Sequence, residues 1–287
     1  MCIRDRARSI VNLCNGFGPY YKSAFSPYYI ERLTNKSGGV IVFFAYLNNY
    51  DLGNIEKKSN NGRDIEICAT ASVVFDPHNR KGVAGLHNVY THPDHRRHGL
   101  SKLLVKRVLD SYDSDVGGEF CVLGTGSPFA AKTYQENGFG HLAGGFYGNG
   151  PKGYNAEDLG EWMMVRPSNF EPKSFYTISD PSLLQIVPVK KTHYTSLLLL
   201  FNAKEDKNLS KCLALGITNG IQAEEKLVTF FQSTKFNESK KTICYVAIND
   251  TRVCGVAAYR DGVSPKWDIY SYTNSSIIEE KFRQVIF

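Results

Sequence analysis

Apolar residues come in short β-branched bursts over the first ninety or so positions and turn to helical spacing only after Gly99. The run Gly39–Leu47 (Gly-Val-Ile-Val-Phe-Phe-Ala-Tyr-Leu) follows Ser37 and Gly38 and reads as a strand entered from a turn. Gly53, Asn60, Asn61 and Gly62 then mark a polar hairpin loop, 65–75 reads as the returning strand, and Asp76, Pro77, His78 and Asn79 end it. A third strand is predicted over 85–91, where Pro93 blocks further pairing. Beyond Gly99 the residues Leu100, Leu103, Leu104 and Val108 share one helical face and Lys102 and Lys106 lie off it, which predicts an amphipathic helix over 99–112. A short buried strand (120–123), a helix (128–137) closed by Gly138, and a strand (161–166) before Pro167 complete an alternating α/β order.

Residues 167–182, with several Pro, Ser and Asp, read as a linker. A second, smaller α/β unit is expected over 183–287: a strand at 185–189, helices at 192–201 and 223–231, and a hairpin pairing 242–248 with 252–259 around Asn249 and Asp250. The segment 267–272 and an amphipathic stretch over 277–287 close the chain. The densest apolar stretches, 40–47 and 197–201, are too short for a membrane-crossing helix, so no membrane association is expected. No signal-peptide pattern opens the chain. Residues 1–6 run into Ile10, Val11 and Leu13 without a turn signal, so the native N-terminus is expected to differ.

Composition adds little to this picture until charge is placed. With 42% hydrophobic and 22% charged residues the chain has the makeup of a soluble globular protein. Its net charge of +6 is spread out except at 92–97 and 235–241, and no nucleic-acid module signature occurs, so a phosphate-bearing small ligand is expected rather than a polynucleotide. The seven cysteines are scattered singly, mostly in apolar segments, which implies reduced thiols in a cytoplasmic setting and no metal site.

The chemistry concentrates where the third strand opens into the helix. Unpaired first-turn amides and the helix dipole attract an anion, Gly99 lets backbone approach it, and Arg96, Arg97 and His98 add cationic and donor groups. His92, His95 and His98 are three apart, but Pro93 and the turn keep them off a common helical face, so they belong to the phosphate turn or to solvent rather than to a metal. The stretch from Val89 through Leu104 resembles the acyl-CoA motif of the GNAT N-acetyltransferase superfamily, a strand ending in V-x-P followed by R/Q-x-x-G-x-G/A. Thr91 stands where valine is usual and Ser101 where the last glycine or alanine is expected. A second match follows: Ser127 through Phe139 resembles N-x-x-A-x-x-L-Y-x-K-x-G-F, with Ala130, Tyr134, Gly138 and Phe139 agreeing, Ser127 replacing Asn and Thr133 replacing Leu.

The resemblance covers roughly 39–166. It implies a GNAT fold, a mixed central sheet flanked by helices, within a catalytic domain over 1–170, with acetyl-CoA as co-substrate and a primary amine of a small molecule as acceptor. By the motif match the Val89 N–H would face the thioester carbonyl, Tyr90 and Thr91 would line the pantetheine, and Arg96, Arg97, His98, Gly99, Leu100 and Ser101 would hold the pyrophosphate. Ser127 and Tyr134 would also meet the cofactor, and Tyr134 would protonate the departing thiolate. The family often places a glutamate four residues before Val89, but that position is Gly85, and no carboxylate lies between them. His87 is the candidate base: strand alternation puts it on the face of Gly85 and Val89, and an ordinary imidazole titrates near ~6.5. A water chain, Glu119 and Glu66 are the other candidates. Two further readings stay open, a non-catalytic acyl-CoA sensor and a GNAT-like decarboxylase or thiol acyltransferase. The second unit also looks like the start of a GNAT domain that lacks the R-x-x-G-x-G/A turn, a degenerate repeat that would wall the acceptor pocket or form a homodimer contact.

Overall fold

The computed structural model describes residues 39–47, 66–79, 81–144, 162–203, 212–217, 223–232, 242–262, 266–273 and 276–286. The start of the chain with Cys2 and Cys14, the loop carrying Gly53, Asn60, Asn61 and Gly62, and the basic stretch 235–241 lie outside them.

A six-stranded mixed sheet holds β1 (Gly39–Leu47), β2 (Glu66–Phe75), β3 (Val83–Thr91), β4 (Phe120–Thr125), β5 (Gly140–Gly144) and β6 (Trp162–Arg166) in the order β1-β2-β3-β4-β6-β5. Only β3 and β4 run parallel, and their ladder is short: Val83, Ala84 and Gly85 pair with Phe120, Cys121 and Val122. Beyond Gly85 β3 continues along β2 while β4 continues along β6, so the two strands part and leave a notch in the middle of the sheet. β5 escapes the hydrophobic pattern because Gly-His-Leu-Ala-Gly carries no β-branched residue; its pairing with β6 supplies what its composition does not.

The helix α1 (Leu100–Ser111) covers one sheet face, burying Leu104, Val105, Val108 and Leu109 against Ala69, Ala71, Val73 and Leu86. This stripe is turned slightly from the expected one. Leu103 is half exposed and Val105 fully buried, while Lys102 and Lys106 face solvent as their positions predict. The helix widens at Tyr112, whose hydroxyl donates to the Phe120 carbonyl at 3.2 Å, and stops at Gly117, at φ +71°. Helix α2 (Pro128–Gln135) packs beside β4 on the same face and ends through Gly138 at φ +86°.

The segment read as a linker is structured. It contains α3 (Pro172–Tyr176), capped by the Glu171 carboxylate, and drives Phe175 and Tyr176 into the core, where Arg252 lies over the Phe175 ring. Buried aromatics outweigh the Pro and Ser content that suggested a loose connection.

A second, four-stranded antiparallel sheet contains β7 (Leu184–Pro188), β8 (Thr242–Asn249), β9 (Arg252–Arg260) and β10 (Asp268–Ser271) in the order β10-β9-β8-β7. Between the two sheets runs α4 (Tyr194–Asn202), every residue of which is buried. A helix apolar all round needs partners on all sides. Leu197, Leu198, Leu199, Leu200 and Phe201 find them in a core that joins Val83, Val122, Met163 and Val165 of the first sheet to Val253, Val256 and Ala258 of the second. Burial of side chains of this kind stabilises by about 2 kcal/mol each. Helix α5 (Ala223–Gln232) packs against α4, and α6 (Ser276–Ile286) covers the second sheet with Ile278 and Phe282. Cys68, Cys121, Cys212, Cys244 and Cys254 are all buried. No described helix is long and apolar enough to cross a membrane.

Candidate active site

The notch is bordered by the far half of β3, by the turn into α1 and by α2. Along β3 the regular pairing with β2 breaks once: His87 opposes Ser72 and Tyr90 opposes Thr70, so the single Ala71 faces both Asn88 and Val89. This is a β-bulge, and Asn88 takes up the extra residue at φ +54°, a conformation asparagine tolerates better than most side chains. The bulge is held from β2. Ser72 Oγ donates to the His87 carbonyl at 2.9 Å and Asn88 Nδ2 donates to Ser72 Oγ at 3.1 Å.

The bulge corrects the expected alternation. His87 shares its face with Gly85, as predicted, but Val89 does not: Val89 packs, half-buried, with Leu86 and the α1 side chains on the opposite face. An extra residue between them changes the parity of the strand. The imidazole of His87 folds back over Gly85. A methyl group built on Gly85 would collide with His87 Nε2 and lie 3.0 Å from its Cδ2 and 2.7 Å from the Thr195 methyl. The ring thus occupies the space in which a side chain at 85 would begin.

The turn after β3 is shaped by backbone more than by charge. Pro93–His95 form one tight turn, Arg97 stands at φ +67° and Gly99 at φ +74°, and the first helical bond runs from the Leu103 N–H to the Gly99 carbonyl at 3.0 Å. Gly99 offers no side-chain cap to the first turn of α1, and among the described residues beyond its chain neighbours no heavy atom lies within 4 Å of where its Cβ would be. The Arg96 guanidinium turns back to donate to the Thr91 carbonyl at 3.2 Å and sits 5.8 Å from the centre of the Tyr90 ring, whereas Arg97 and His98 are exposed. Thr91 and Ser101, the two departures from the motif, meet each other: their hydroxyl oxygens are 2.7 Å apart and tie the end of β3 to the first turn of α1. His92 accepts from the Asp94 N–H at 3.4 Å and its ring lies 5.9 Å from that of His95. Among the described residues no group of three or more His, Cys, Asp or Glu is placed to hold a metal ion.

On the other side of the notch Ser127 caps α2, its Oγ accepting from the Ala130 N–H at 3.3 Å. Tyr134, the next-to-last residue of α2, is buried edge-on against Phe139 at 6.1 Å. Burial raises its phenol above the ordinary tyrosine range, so the group holds its proton well into alkaline pH. Lys102 and Glu136, 2.8 Å apart, link α1 to α2 at the surface, and the lysine lowers the Glu136 carboxyl. Glu119 is exposed just before β4, at the closed end of the β3–β4 ladder and away from the notch.

Residues 18–139 match the sequence model of the acetyltransferase (GNAT) family. The chain carries a GNAT domain. Similar solved structures include a spermidine N-acetyltransferase variant from Vibrio cholerae (16% identity, TM-score 0.36, covering 56% of this chain and 89% of that one). A GNAT-family acetyltransferase from Streptococcus pneumoniae is similar at 14% identity and TM-score 0.38, over 57% of this chain and 95% of that one. The Vibrio cholerae spermidine N-acetyltransferase in complex with CoA and spermine is similar at 17% identity and TM-score 0.37, over 56% and 89%. No curated protein matches the chain in sequence.

Three residues of the candidate site escape the sequence pattern. Asn88 carried a usable signal, an asparagine inside an otherwise apolar strand, whereas Ser72 and Thr195 reach the site only through sheet register and through the packing of a distant helix.

Proposed function

We propose that the protein transfers an acetyl or other short acyl group from acetyl-CoA to a primary amine of a small molecule by direct attack on the thioester. The observation that carries this reading is the notch opened where β3 and β4 part after Gly85 and Val122, with the capless turn at Gly99 on one side and α2, which carries Tyr134, on the other. Open space around the Gly99 Cβ position among the described residues, together with the first-turn amides of α1, supports a pyrophosphate at this turn. On this reading the exposed Arg97 and His98 lie beside it, Leu100 and Ser101 contribute their amides, and Tyr90 and Thr91 border the arm leading into the notch.

In the transfer step the amine nitrogen attacks the thioester carbon, the carbonyl oxygen takes up negative charge beside the bulged Val89 amide, and the C–S bond then breaks. The proton lost by the amine passes to His87 and the thiolate takes one from Tyr134. Burial keeps that phenol protonated at neutral pH, so it is present in the form that can donate. His87 suits the first transfer because its ring fills the place left by Gly85.

Thiol release from acetyl-CoA over a panel of primary amines tests the reading. Turnover with any amine supports it, whereas CoA binding without turnover across the panel would favour an acyl-CoA sensor instead. In the same assay His87→Ala should flatten the acidic limb of the rate profile, and an unchanged profile would remove His87 as the base.

A further inference from the structure

The first turn of α4 belongs in sequence to the second sheet unit, more than a hundred residues after β3, yet it closes directly over the Gly85 face of β3. Thr195 makes two contacts there. Its Oγ1 donates to the Val83 carbonyl at 2.6 Å, a buried bond between the two units, and its methyl would stand 2.7 Å from a side-chain carbon at position 85. A helical threonine commonly returns its hydroxyl to a carbonyl of its own helix, but this one donates it to a strand of the other sheet. The neighbouring Tyr194 ring lies 6.1 Å from the His87 ring, tilted by 44°. The imidazole is therefore flanked by Gly85 below, the Thr195 methyl on one side and the Tyr194 ring on another. Because β-branching restricts χ1 of Thr195 and α4 is buried all round, this surround has little freedom to adjust.

We propose that Thr195 is a positioning residue: its bond to Val83 fixes the first turn of α4 on β3 and so holds the His87 imidazole over Gly85, which makes the second sheet unit part of the transfer site. The assignment of a function to that imidazole rests on the reading of His87 as the base. The positioning itself is a property of the free protein.

The test uses the full chain with Thr195→Ser, Thr195→Val and Thr195→Ala, and reads the ring-nitrogen resonances of His87 by NMR, identified by their loss in His87→Gln. Serine keeps the hydroxyl and should leave the His87 resonances in place; valine keeps the shape without the hydroxyl and, like alanine, should displace them. In acetyl transfer Thr195→Val should lose between about ten- and a hundred-fold in kcat, the scale expected for a misplaced catalytic group. Its KM for acetyl-CoA should stay within about two-fold, because the pyrophosphate turn is untouched. His87 resonances that stay unmoved in a folded Thr195→Val protein would overturn the proposal, as would a Thr195→Ser protein displaced as far as Thr195→Val. If Thr195→Ala does not fold, the valine variant of nearly equal volume decides alone. A wild-type protein inactive with every amine, but with His87 resonances that follow the predicted order, would sink the transferase reading and leave the positioning role standing.

Discussion

Substitution of Gly99 separates the two things the turn contributes, backbone shape and tolerance of negative charge. At φ +74° a non-glycine residue costs about 1–2 kcal/mol, partly offset by the smaller freedom of the unfolded chain. Among the described residues beyond its chain neighbours no heavy atom lies within 4 Å of a Cβ at this position, so Gly99→Ala should cost about 1 kcal/mol of stability with little loss of CoA affinity. Gly99→Gln adds bulk to that, and Gly99→Glu adds a charge to the same bulk. A carboxylate about 5 Å from a phosphate repels it by about 1–3 kcal/mol for an effective dielectric between about 80 and 20. That range corresponds to a roughly five- to 150-fold weaker Kd for the glutamate variant than for the glutamine variant. Calorimetric titration with CoA should show the gap at low salt and a smaller one at about 0.5 M, where screening shortens to a few ångströms. Equal affinity of the Glu and Gln variants at low salt would refute the placement of the pyrophosphate at this turn.

Tyr134→Phe should leave stability nearly unchanged and lower kcat about a hundred-fold, the usual worth of a general acid, with a much smaller effect on KM for acetyl-CoA. Because burial raises the Tyr134 phenol, the wild-type rate should not fall through its ionisation below about pH 10; a basic limb near pH 9 that disappears in the Phe variant would contradict this. His193, buried just before α4 with Nδ1 accepting from the Lys190 N–H at 3.1 Å, is pushed down to about 4, mainly by burial and further by Lys190, against the pull of Asp76. The unfolded chain therefore takes up this proton before the folded one does. Stability that is intact above about pH 6.5 should decline as the pH falls toward 4, by at most about 3 kcal/mol. Urea melts at neutral pH and at about pH 4.5 should show this loss reduced in His193→Asn, and an equal loss in both proteins would exclude the histidine as its source.

How much of this was legible in the chain follows the physics of each element. The burst of β-branched residues at Gly39–Leu47 and the Leu-rich face after Gly99 both became the elements they announced, because the pattern agrees with the pairing of β1 to β2 and with the packing of α1. The strand β5 and the short helix α3 were not legible. One lacks side chains that favour a strand, and the other has its Pro and Ser on the surface and its purpose in the buried Phe175 and Tyr176. At the site, the glycine and basic residues of the turn could be read from their order along the chain. The fate of the missing carboxylate could not. That Gly85 is covered by the His87 ring and by Thr195 depends on the return of the chain a hundred residues later, which no local pattern encodes.

The parity change at Asn88 bears on how the two proton transfers are divided. His87 lies on the sheet face covered by α4, while Val89 and Tyr134 belong to the face covered by α1 and α2. In an unbroken sheet these groups would be separated by a wall of backbone. On the proposed mechanism they reach one reacting carbon because β3 and β4 stop pairing after Gly85 and Val122, which opens the wall where the bulge sits. Direct attack has the same two-sided demand: the amine arrives and loses its proton on one side of the carbonyl, and the thiolate departs and gains one on the other. On the proposed mechanism His87 on the α4 face and Tyr134 on the α2 face meet that demand from opposite sides of the sheet. On this reading the departure from the family pattern at Gly85 is local. The base comes from two residues further along the same strand, on the same face, and the second sheet unit supplies the surface that keeps it there.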